Sequence, residues 1–409
     1  MKNPYILLLL LLFTFCSPDN DPSVPEMEME VVSKPEEEVV VIPEESSSIL
    51  ISSTEYINYS GSLLKSFASL TTDEDLNYEF NDVNAFKLIY ESLDENQQDV
   101  EVSGIMILPA IDEPKGIISI QHSTISSNDE APSNSLIGTN EFTVAAIFAS
   151  TGYVTVISDY VGYGVNSDQR HPYELRKSLG LSSYDMIIAT KAYLEQNEIN
   201  VADDLYLVGY SEGGFATLAA HQKIETEQSF EITHTFAGAG AYDKTEFTKV
   251  ILQKDEDLTF LGTYLWVLDV YNNHYSNLKY PWSDIVNEPY ATNLENIGLI
   301  NAPVADSLIS LNPKELFTET FKKGLLDETD TNVLMALMDN DLLNWTPIAP
   351  ITLFHGAEDD FVYPLNSRNA FDQLSQNGGE LEYVSIEGKN HQAAAVPFFF
   401  KTLNRIQSQ

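Results

Sequence analysis

Cysteine is almost absent from this chain of 409 residues, since Cys16 is the only one. A single cysteine allows no internal disulfide, even in an oxidising compartment. The apolar stretch that precedes it, residues 6–13, is too short to span a bilayer as a helix. Hydrophobic residues nevertheless make up 43% of the chain and aromatic residues 11%. We therefore expect a fold that is held by a sizeable hydrophobic core.

Basic residues are also scarce. The chain has 21 Lys and Arg against 62 Asp and Glu, which gives a formal net charge of −41. A surface of that sign repels phosphates and argues against a nucleic-acid partner. Residues 17–48 hold ten of the carboxylates and one lysine, so most of the excess belongs to the rest of the chain. We interpret it as a soluble, acidic surface.

The N-terminus has the pattern of an export signal. Lys2 supplies a positive charge, residues 6–13 supply an apolar segment, and Cys16 comes next. Residues 1–16 thus resemble a bacterial lipoprotein signal, in which the cysteine is lipidated and the lipid alone contacts the membrane. Phe15 departs from the small residue that is usual there, so an ordinary secretory signal is the alternative. Both signals predict export, either as an outer-membrane lipoprotein (periplasmic or surface-facing) or as a secreted protein.

Residues 17–48 differ in composition from the rest of the chain. They are rich in Pro, Glu, Asp, Ser and Val, and contain Pro-Glu-Glu runs. Such a composition is typical of an extended, self-repelling linker without a packed core. We interpret this segment as an acidic, disordered tether, and residues 49–409 as the folded domain.

From residue 49 onwards, short β-rich runs alternate with helical runs. Two β-rich runs separated by polar residues predict an opening antiparallel hairpin. The alternation after it indicates a mostly parallel, doubly wound α/β sheet. It breaks at residues 242–345, a helical and aromatic insertion after the sixth predicted strand. The predicted strands are residues 85–93, 100–108, 116–121, 154–158, 205–208, 232–237, 351–355 and 381–386, and the predicted helices are residues 142–150, 181–196, 215–220 and 365–374.

The most informative motif is Gly-Tyr-Ser-Glu-Gly-Gly at residues 209–214. It stands between a predicted strand and a predicted helix, and this order is typical of a nucleophile elbow. The turn is so tight that the positions on both sides of the serine must be small, which the glycines satisfy. The elbow would present the hydroxyl of Ser211 at a helix N-terminus, where the helix dipole favours developing negative charge.

A serine hydroxyl needs a base to take its proton, and the base needs a carboxylate to orient it. His391 suits the base, because it lies in a polar, glycine-containing loop after the last predicted strand. We interpret His355 as structural and His274 as substrate-facing or simply exposed. Asp359 and Asp360 follow the strand that ends at His355, and they are the candidate acids.

Three motifs together resemble the α/β-hydrolase superfamily, in particular bacterial serine esterases and lipases with a helical cap. They are the elbow, the H-G-x-x-D-x-x-V stretch at residues 355–362 and the G-x-x-H loop at residues 388–391. The resemblance covers about residues 80–405 and implies that the insertion at 242–345 is a cap. A small separate domain without contact to the site is the alternative for this insertion.

The resemblance also implies the roles of the site residues. The family's chain order of serine, acid and histidine gives the triad Ser211, Asp359 and His391, with Asp359 at the D-x-x-V position rather than Asp360. The oxyanion would be held by two backbone N–H groups. One belongs to Glu212, the residue after the nucleophile. The other lies in the loop after the third predicted strand, at Thr124, with Ser123 as the runner-up.

The sequence therefore predicts a serine hydrolase that cleaves carboxylic esters through an acyl-enzyme, with a small ester as substrate and no metal or organic cofactor. We expect activity to fall on acidification, as the histidine base becomes protonated. A serine peptidase of the aminopeptidase or prolyl-peptidase type is one alternative, since it would use the same triad. A surface lipoprotein that retains the fold for binding alone is another. The acyl specificity and the oligomeric state do not follow from the sequence.

Overall fold

The computed structural model of the protein describes residues 40–41, 49–138 and 140–409. The predicted signal at residues 1–16, with Cys16, and nearly all of the predicted linker at 17–48 lie outside the described residues. Inside the linker range, Val40–Val41 forms a two-residue strand that pairs with the next strand of the sheet.

The chain forms one sheet with helices on both faces. The strands are β1 (Val40–Val41), β2 (Leu50–Tyr59), β3 (Val83–Leu93), β4 (Asp99–Pro109), β5 (Ile117–Gln121), β6 (Val154–Ser158), β7 (Leu205–Tyr210), β8 (His234–Gly238), β9 (Ile351–Gly356) and β10 (Leu381–Ile386). The helices are α1 (Gly61–Thr71), α2 (Asn140–Ser150), α3 (Arg176–Gln196), α4 (Glu212–Glu227), α5 (Lys244–Leu252), α6 (Leu261–His274), α7 (Trp282–Ile285), α8 (Tyr290–Ile297), α9 (Pro313–Leu316), α10 (Glu319–Leu326), α11 (Thr331–Asp339), α12 (Leu365–Gln376) and α13 (His391–Ser408).

The strand order along the sheet is β1-β2-β3-β4-β6-β5-β7-β8-β9-β10. Pairing is antiparallel from β1 to β4 and between β4 and β6. All pairs from β6 to β10 are parallel. The predicted α/β class, with a mostly parallel, doubly wound sheet behind an opening antiparallel hairpin (β3 and β4), is therefore confirmed. In such sheets ligands bind beyond the carboxyl ends of the parallel strands.

Three elements before the hairpin were not predicted, namely β1, β2 and α1. Most side chains of β2 are half-buried, so its sequence lacks the alternation of apolar and polar residues that marks a strand with one solvent face. Because β1 and β2 precede the hairpin, the insertion follows the eighth strand and not the sixth, as the sequence had indicated.

The parallel strands at the centre of the sheet are buried on both faces. Alternate side chains of β6 enter different cores: Val154 and Val156 belong to the core on the side of α3, and Ile157 belongs to the core on the side of α2. A strand that is covered on both sides reads as a continuous apolar run. This explains why the short runs at β5 and β6 were predicted so closely. Each fully buried Val or Ile contributes roughly 1.5–3 kcal/mol of transfer free energy.

Helices α5 to α11 connect β8 to β9 and have a core of their own. Trp266, Leu265 and Phe317 are among its fully or nearly fully buried members. The same core includes Tyr173 and Val362, which belong to loops at the carboxyl edge of the sheet. The insertion (residues 242–345) therefore packs against the edge at which the parallel strands end. Within the described ranges, no helix is both long enough and apolar enough to cross a membrane.

Candidate active site

The turn between β7 and α4 places Ser211 in a strained backbone conformation, with φ 59° and ψ −125°. Such values are costly for a residue with a side chain and persist where the surroundings impose them. The surroundings are backbone atoms in close contact. A Cβ on Gly213 would collide with the carbonyl oxygen of Gln121 in β5, and a Cβ on Gly209 would collide with that of Gly213. The glycines of the motif are thus sterically required.

A continuous chain of hydrogen bonds joins three of the predicted residues. The distance from Ser211 Oγ to His391 Nε2 is 2.8 Å, and the distance from His391 Nδ1 to Asp359 Oδ2 is 2.7 Å. When Nδ1–H donates to the carboxylate, Nε2 is left as the acceptor for the serine hydroxyl. All three residues are buried, so few water molecules compete for these bonds. The arrangement can abstract a proton from Ser211 and return it.

The ring of His391 is held from several sides. His391 begins α13, and Asn390 caps this helix by accepting a hydrogen bond from Ala393 N–H. The Tyr210 hydroxyl donates to the backbone carbonyl of His391 over 2.6 Å. The ring of Phe361 meets the imidazole edge-on, with centroids 4.9 Å apart. Backbone and ring are therefore both fixed in the orientation that the hydrogen-bond chain needs.

The carboxylate of Asp359 accepts hydrogen bonds on both oxygens. Oδ1 accepts from the N–H groups of Phe361 and Val362, at 3.0 and 2.9 Å. Oδ2 faces His391 and also lies 3.1 Å from His355 Nε2. Burial raises the pKa of this carboxyl, but the two histidines outweigh burial and lower the pKa to about 2. Asp359 is thus ionised at every pH at which the protein would work.

The other candidates from the sequence lie outside this chain of bonds. Asp360 is exposed to solvent. His355 is buried between Ser367 Oγ and the carbonyl of Val362, besides its contact with Asp359. His274 is half-buried on α6 and is not among the residues that line the pocket beside Ser211.

The two predicted oxyanion donors are both free to bind a ligand. Over the described residues, neither the N–H of Glu212 nor that of Thr124 has a hydrogen-bond partner. The N–H of Ser123, the alternative donor, is engaged by the Glu141 carboxylate at 3.0 Å. The close contact of Gly213 with the Gln121 carbonyl brings the two loops together. These observations favour Thr124 over Ser123.

A pocket of about 740 Å³, counted out to its open mouth, lies between Ser211 and the insertion. Most of the lining is apolar. Tyr264 of the insertion lines the pocket, whereas Trp266 and Tyr271 belong to the insertion's core. The apolar residues that line the pocket are Ala241, Phe247, Ile251, Leu252, Val267, Leu268, Phe317, Phe321, Leu337, Phe361 and Val362.

Sequence reasoning missed one charged pair in this lining. Lys244 forms a buried ion pair with Glu174, and its ammonium lies 3.9 Å from the centroid of the Phe215 ring. Burial lowers the pKa of Lys244 well below its usual value, against the opposing effect of Asp341. One signal was available: a lysine in the first turn of a helix opposes the helix dipole, and Lys244 begins α5.

A family model for secretory lipases matches residues 129–407. The chain belongs to the secretory lipase family. The match begins in the loop after β5 and includes the elbow, the insertion, Asp359 and His391. Among curated protein sequences, no significant match is found.

Solved structures similar to this secretory lipase share its fold. A structure from Legionella pneumophila is 22% identical, with a TM-score of 0.78, over 88% of this chain and 97% of that one. The rice cell wall degrading esterase LipA from Xanthomonas oryzae is 19% identical, with a TM-score of 0.73, over 87% and 96%. Candida antarctica lipase A is 17% identical, with a TM-score of 0.61, over 84% and 77%.

The family and these neighbours confirm the expected resemblance to α/β-hydrolase esterases and lipases, and identify the chain as a carboxylic ester hydrolase. Its substrates are therefore small-molecule esters. In the described part of the chain, no group of three or more His, Cys, Asp and Glu side chains is arranged to hold a metal ion.

The first prediction concerns pH. Because the pKa of Asp359 is lowered to about 2, this carboxylate stays charged above about pH 4 and adds no proton to the acid limb. We expect kcat/KM for a neutral ester to fall on acidification with a slope of one proton, as for catalysis by a single general base. The Asp341→Asn variant is the control, because burial raises the pKa of Asp341 to about 6. The acid side of its pH profile should match that of the wild type. A wild-type profile that falls with a slope of two protons would contradict the assignment of Asp359 as the permanently ionised acid.

The second prediction separates the two adjacent carboxylates. Asp359→Asn keeps the shape of the side chain but favours the wrong imidazole tautomer, and we expect kcat to fall by about 10⁴-fold. Asp360→Asn is the matched control, because Asp360 is exposed, and its kcat should stay within about twofold of the wild type. Steady-state kinetics on purified variants measures both. A large loss in Asp360→Asn with a mild one in Asp359→Asn would reverse the assignment.

Proposed function

We propose that this ester hydrolase is a serine esterase that works through an acyl-enzyme, with Ser211 as nucleophile, His391 as general base and Asp359 as the orienting acid. The observation that carries the proposal is the unbroken hydrogen-bond chain from Asp359 through His391 to Ser211, at 2.7 and 2.8 Å. The strained elbow adds support, since it directs the hydroxyl towards the pocket.

In the acylation step, His391 Nε2 takes the proton of Ser211 Oγ while Oγ bonds to the carbonyl carbon of the ester. The carbonyl oxygen becomes an oxyanion and accepts hydrogen bonds from the N–H groups of Glu212 and Thr124. The imidazolium is stabilised by ionised Asp359. It then gives its proton to the leaving alcohol as the carbon–oxygen bond breaks, and the acyl group stays on Ser211.

Deacylation repeats these steps with water in place of the serine. His391 takes a proton from water, the hydroxide attacks the acyl carbon, and the same two N–H groups hold the second oxyanion. Collapse releases the acid and returns the proton to Ser211 Oγ. Atoms and charges balance without any metal or organic cofactor.

We propose further that the insertion at residues 242–345 acts as a cap, and that its apolar pocket binds the apolar part of the ester. Support comes from the pocket lining, since α5, α6, α10 and α11 of the insertion contribute residues to the same pocket as Ser211. Burying an acyl chain there would stabilise the complex by about 0.8 kcal/mol per methylene.

The third prediction tests the nucleophile and the substrate class together. A fluorophosphonate probe should label the wild-type protein once and leave Ser211→Ala unlabelled. The same substitution should lower kcat on a short-chain p-nitrophenyl ester by about 10⁶-fold. Aminoacyl p-nitroanilides, which carry the same chromophore on an amide bond, should not be cleaved. Labelling that persists in Ser211→Ala would reject the nucleophile, and cleavage of anilides without esters would make the protein a peptidase.

We also propose that the protein is exported and held at a membrane by a lipid on Cys16, with residues 17–48 as the tether. The name of the family points to export, and the lipoprotein pattern of residues 1–16 supports the anchor.

The fourth prediction tests this anchor. Expressed in a Gram-negative host, the wild-type chain should enter the detergent phase in Triton X-114 partitioning. Cys16→Ser should move it to the aqueous phase, because a lipid chain contributes about 0.8 kcal/mol per buried methylene and serine cannot carry it. A wild-type protein found in the aqueous phase would favour the ordinary secretory signal.

A further inference from the structure

A short loop segment between β6 and α3, residues 170–175, runs beside both candidate oxyanion donors. Its first contact is with Glu212. His171 Nε2 lies 2.8 Å from Glu212 Oε1, and His171 Nδ1 lies 2.8 Å from the Val161 carbonyl oxygen. The side chains of His171 and Glu212 are both almost fully buried. A buried carboxylate next to the nucleophile needs such a partner, because it would otherwise lose its hydration uncompensated.

The two bonds of His171 fix the number of protons in this pair. A carbonyl oxygen can only accept, so Nδ1 carries a proton and donates it to Val161. The bond between Nε2 and Glu212 then needs one more proton, which resides on the imidazole or on the carboxyl. In both arrangements the carboxyl of Glu212 is tied to a ring that is itself tied to the backbone. The residue that follows the nucleophile is therefore held through its side chain.

The second contact of the segment is with Thr124. The Tyr173 hydroxyl and Thr124 Oγ1 are 2.9 Å apart. Burial and the nearby Glu212 raise the pKa of Tyr173 well above its usual value, so this hydroxyl keeps its proton. His171 and Tyr173, two positions apart in sequence, thus bind the side chains of Glu212 and Thr124. The backbone N–H groups of Glu212 and Thr124 are both free.

The insertion holds the segment from the opposite side. The ring of Tyr173 stacks on Trp266, with centroids 4.0 Å apart and planes 8° from parallel. The N–H of His171 donates to Asn301 Oδ1 over 2.9 Å, and Arg170 forms an ion pair with Asp269. The segment is thus held by the insertion on one side and contacts the residues of the two candidate donors on the other.

We propose that His171 and Tyr173 are positioning residues that set the two N–H donors of the oxyanion hole. The inference rests on the proposed function. Neither side chain needs to touch the reacting atoms, because each acts through the residue that supplies a donor. A donor that is fixed before the reaction stabilises the oxyanion without having to reorganise. The contribution of an oxyanion hole to the rate comes largely from this preorganisation.

The fifth prediction uses a double-mutant cycle on the Tyr173–Thr124 pair. Tyr173→Phe and Thr124→Val each remove one partner of the bond and keep the backbone N–H. Each should lower kcat by about 10-fold, a fraction of the 10²- to 10³-fold loss from deleting a donor outright. The double variant should lose no more than either single one, because both remove the same bond. KM should stay unchanged, since the oxyanion exists only in the transition state.

Acyl-chain length separates positioning from a change in pocket shape, because Tyr173 also lines the pocket. Every ester presents the same carbonyl, so the loss in kcat should be equal for acetyl, butyryl and octanoyl esters. A loss that varies with chain length would assign Tyr173 to acyl binding and overturn the proposal. Tyr280→Phe is the matched control: its hydroxyl donates to Asp330 Oδ1 over 3.0 Å inside the insertion, it does not line the pocket, and kcat should stay within about twofold.

His171→Ala tests the other half of the proposal, with circular dichroism and thermal unfolding to determine the folded fraction. Per folded molecule, kcat should fall by about 10-fold or more at unchanged KM. Should this variant not fold, the Tyr173–Thr124 cycle decides alone. Wild-type kcat in Tyr173→Phe and Thr124→Val would overturn the inference and leave the esterase intact. A wild-type protein without Ser211-dependent ester cleavage would instead reject the proposed function.

Discussion

The steric contact between Gly213 and the backbone of β5 is the constraint on which the rest of the site depends. Because Gly213 has no Cβ, the start of α4 can touch the Gln121 carbonyl. That contact sets the distance between the elbow and the loop after β5, and hence between the N–H groups of Glu212 and Thr124. The same turn forces Ser211 to a positive φ. The strain is held by the sheet, since Ser211 N–H also donates to the Gly238 carbonyl in β8.

Charge is distributed very differently at the surface and in the site. The chain as a whole carries a formal charge of −41, while the groups around Ser211 are individually compensated. Asp359 faces two histidines, Glu212 faces His171, and Glu174 faces Lys244. Burying an unpaired charge would cost several kcal/mol. A neutral ester thus meets a pocket whose local charges are paired, inside a protein whose outer field is strongly negative.

The sequence predicts the parts of this protein that local chemistry determines. The elbow could be predicted because a tight turn requires glycine at fixed spacings. Strand β6 could be predicted because a strand that is covered on both faces is apolar throughout. Ser211, Asp359 and His391 each follow a predicted strand, which is why their meeting at one sheet edge could be expected. The hydrogen bonds that join them lie between residues 180 and 32 positions apart. The distances between these side chains could be obtained only from the structure.

The remaining parts depend on contacts that no local pattern records. His171 and Tyr173 are ordinary loop residues until the fold brings Glu212 and Thr124 beside them, 41 and 49 positions away. Lys244 and Glu174 are likewise far apart in sequence and meet only inside the pocket. Strand β2 was missed for another reason. Most of its side chains are half-buried, so its sequence does not alternate between apolar and polar residues.

The stacking of Trp266 on Tyr173 has a consequence for how such a protein can diversify. In many α/β folds, loops and insertions vary freely because the catalytic residues belong to the rigid sheet. Here the insertion's core is continuous with the segment that contacts Glu212 and Thr124. A change of insertion would therefore alter the surroundings of Glu212 and Thr124 as well as the lining of the pocket beside Ser211. An insertion transplanted into this protein would have to restore the contacts that Trp266 and Asn301 make with residues 170–175.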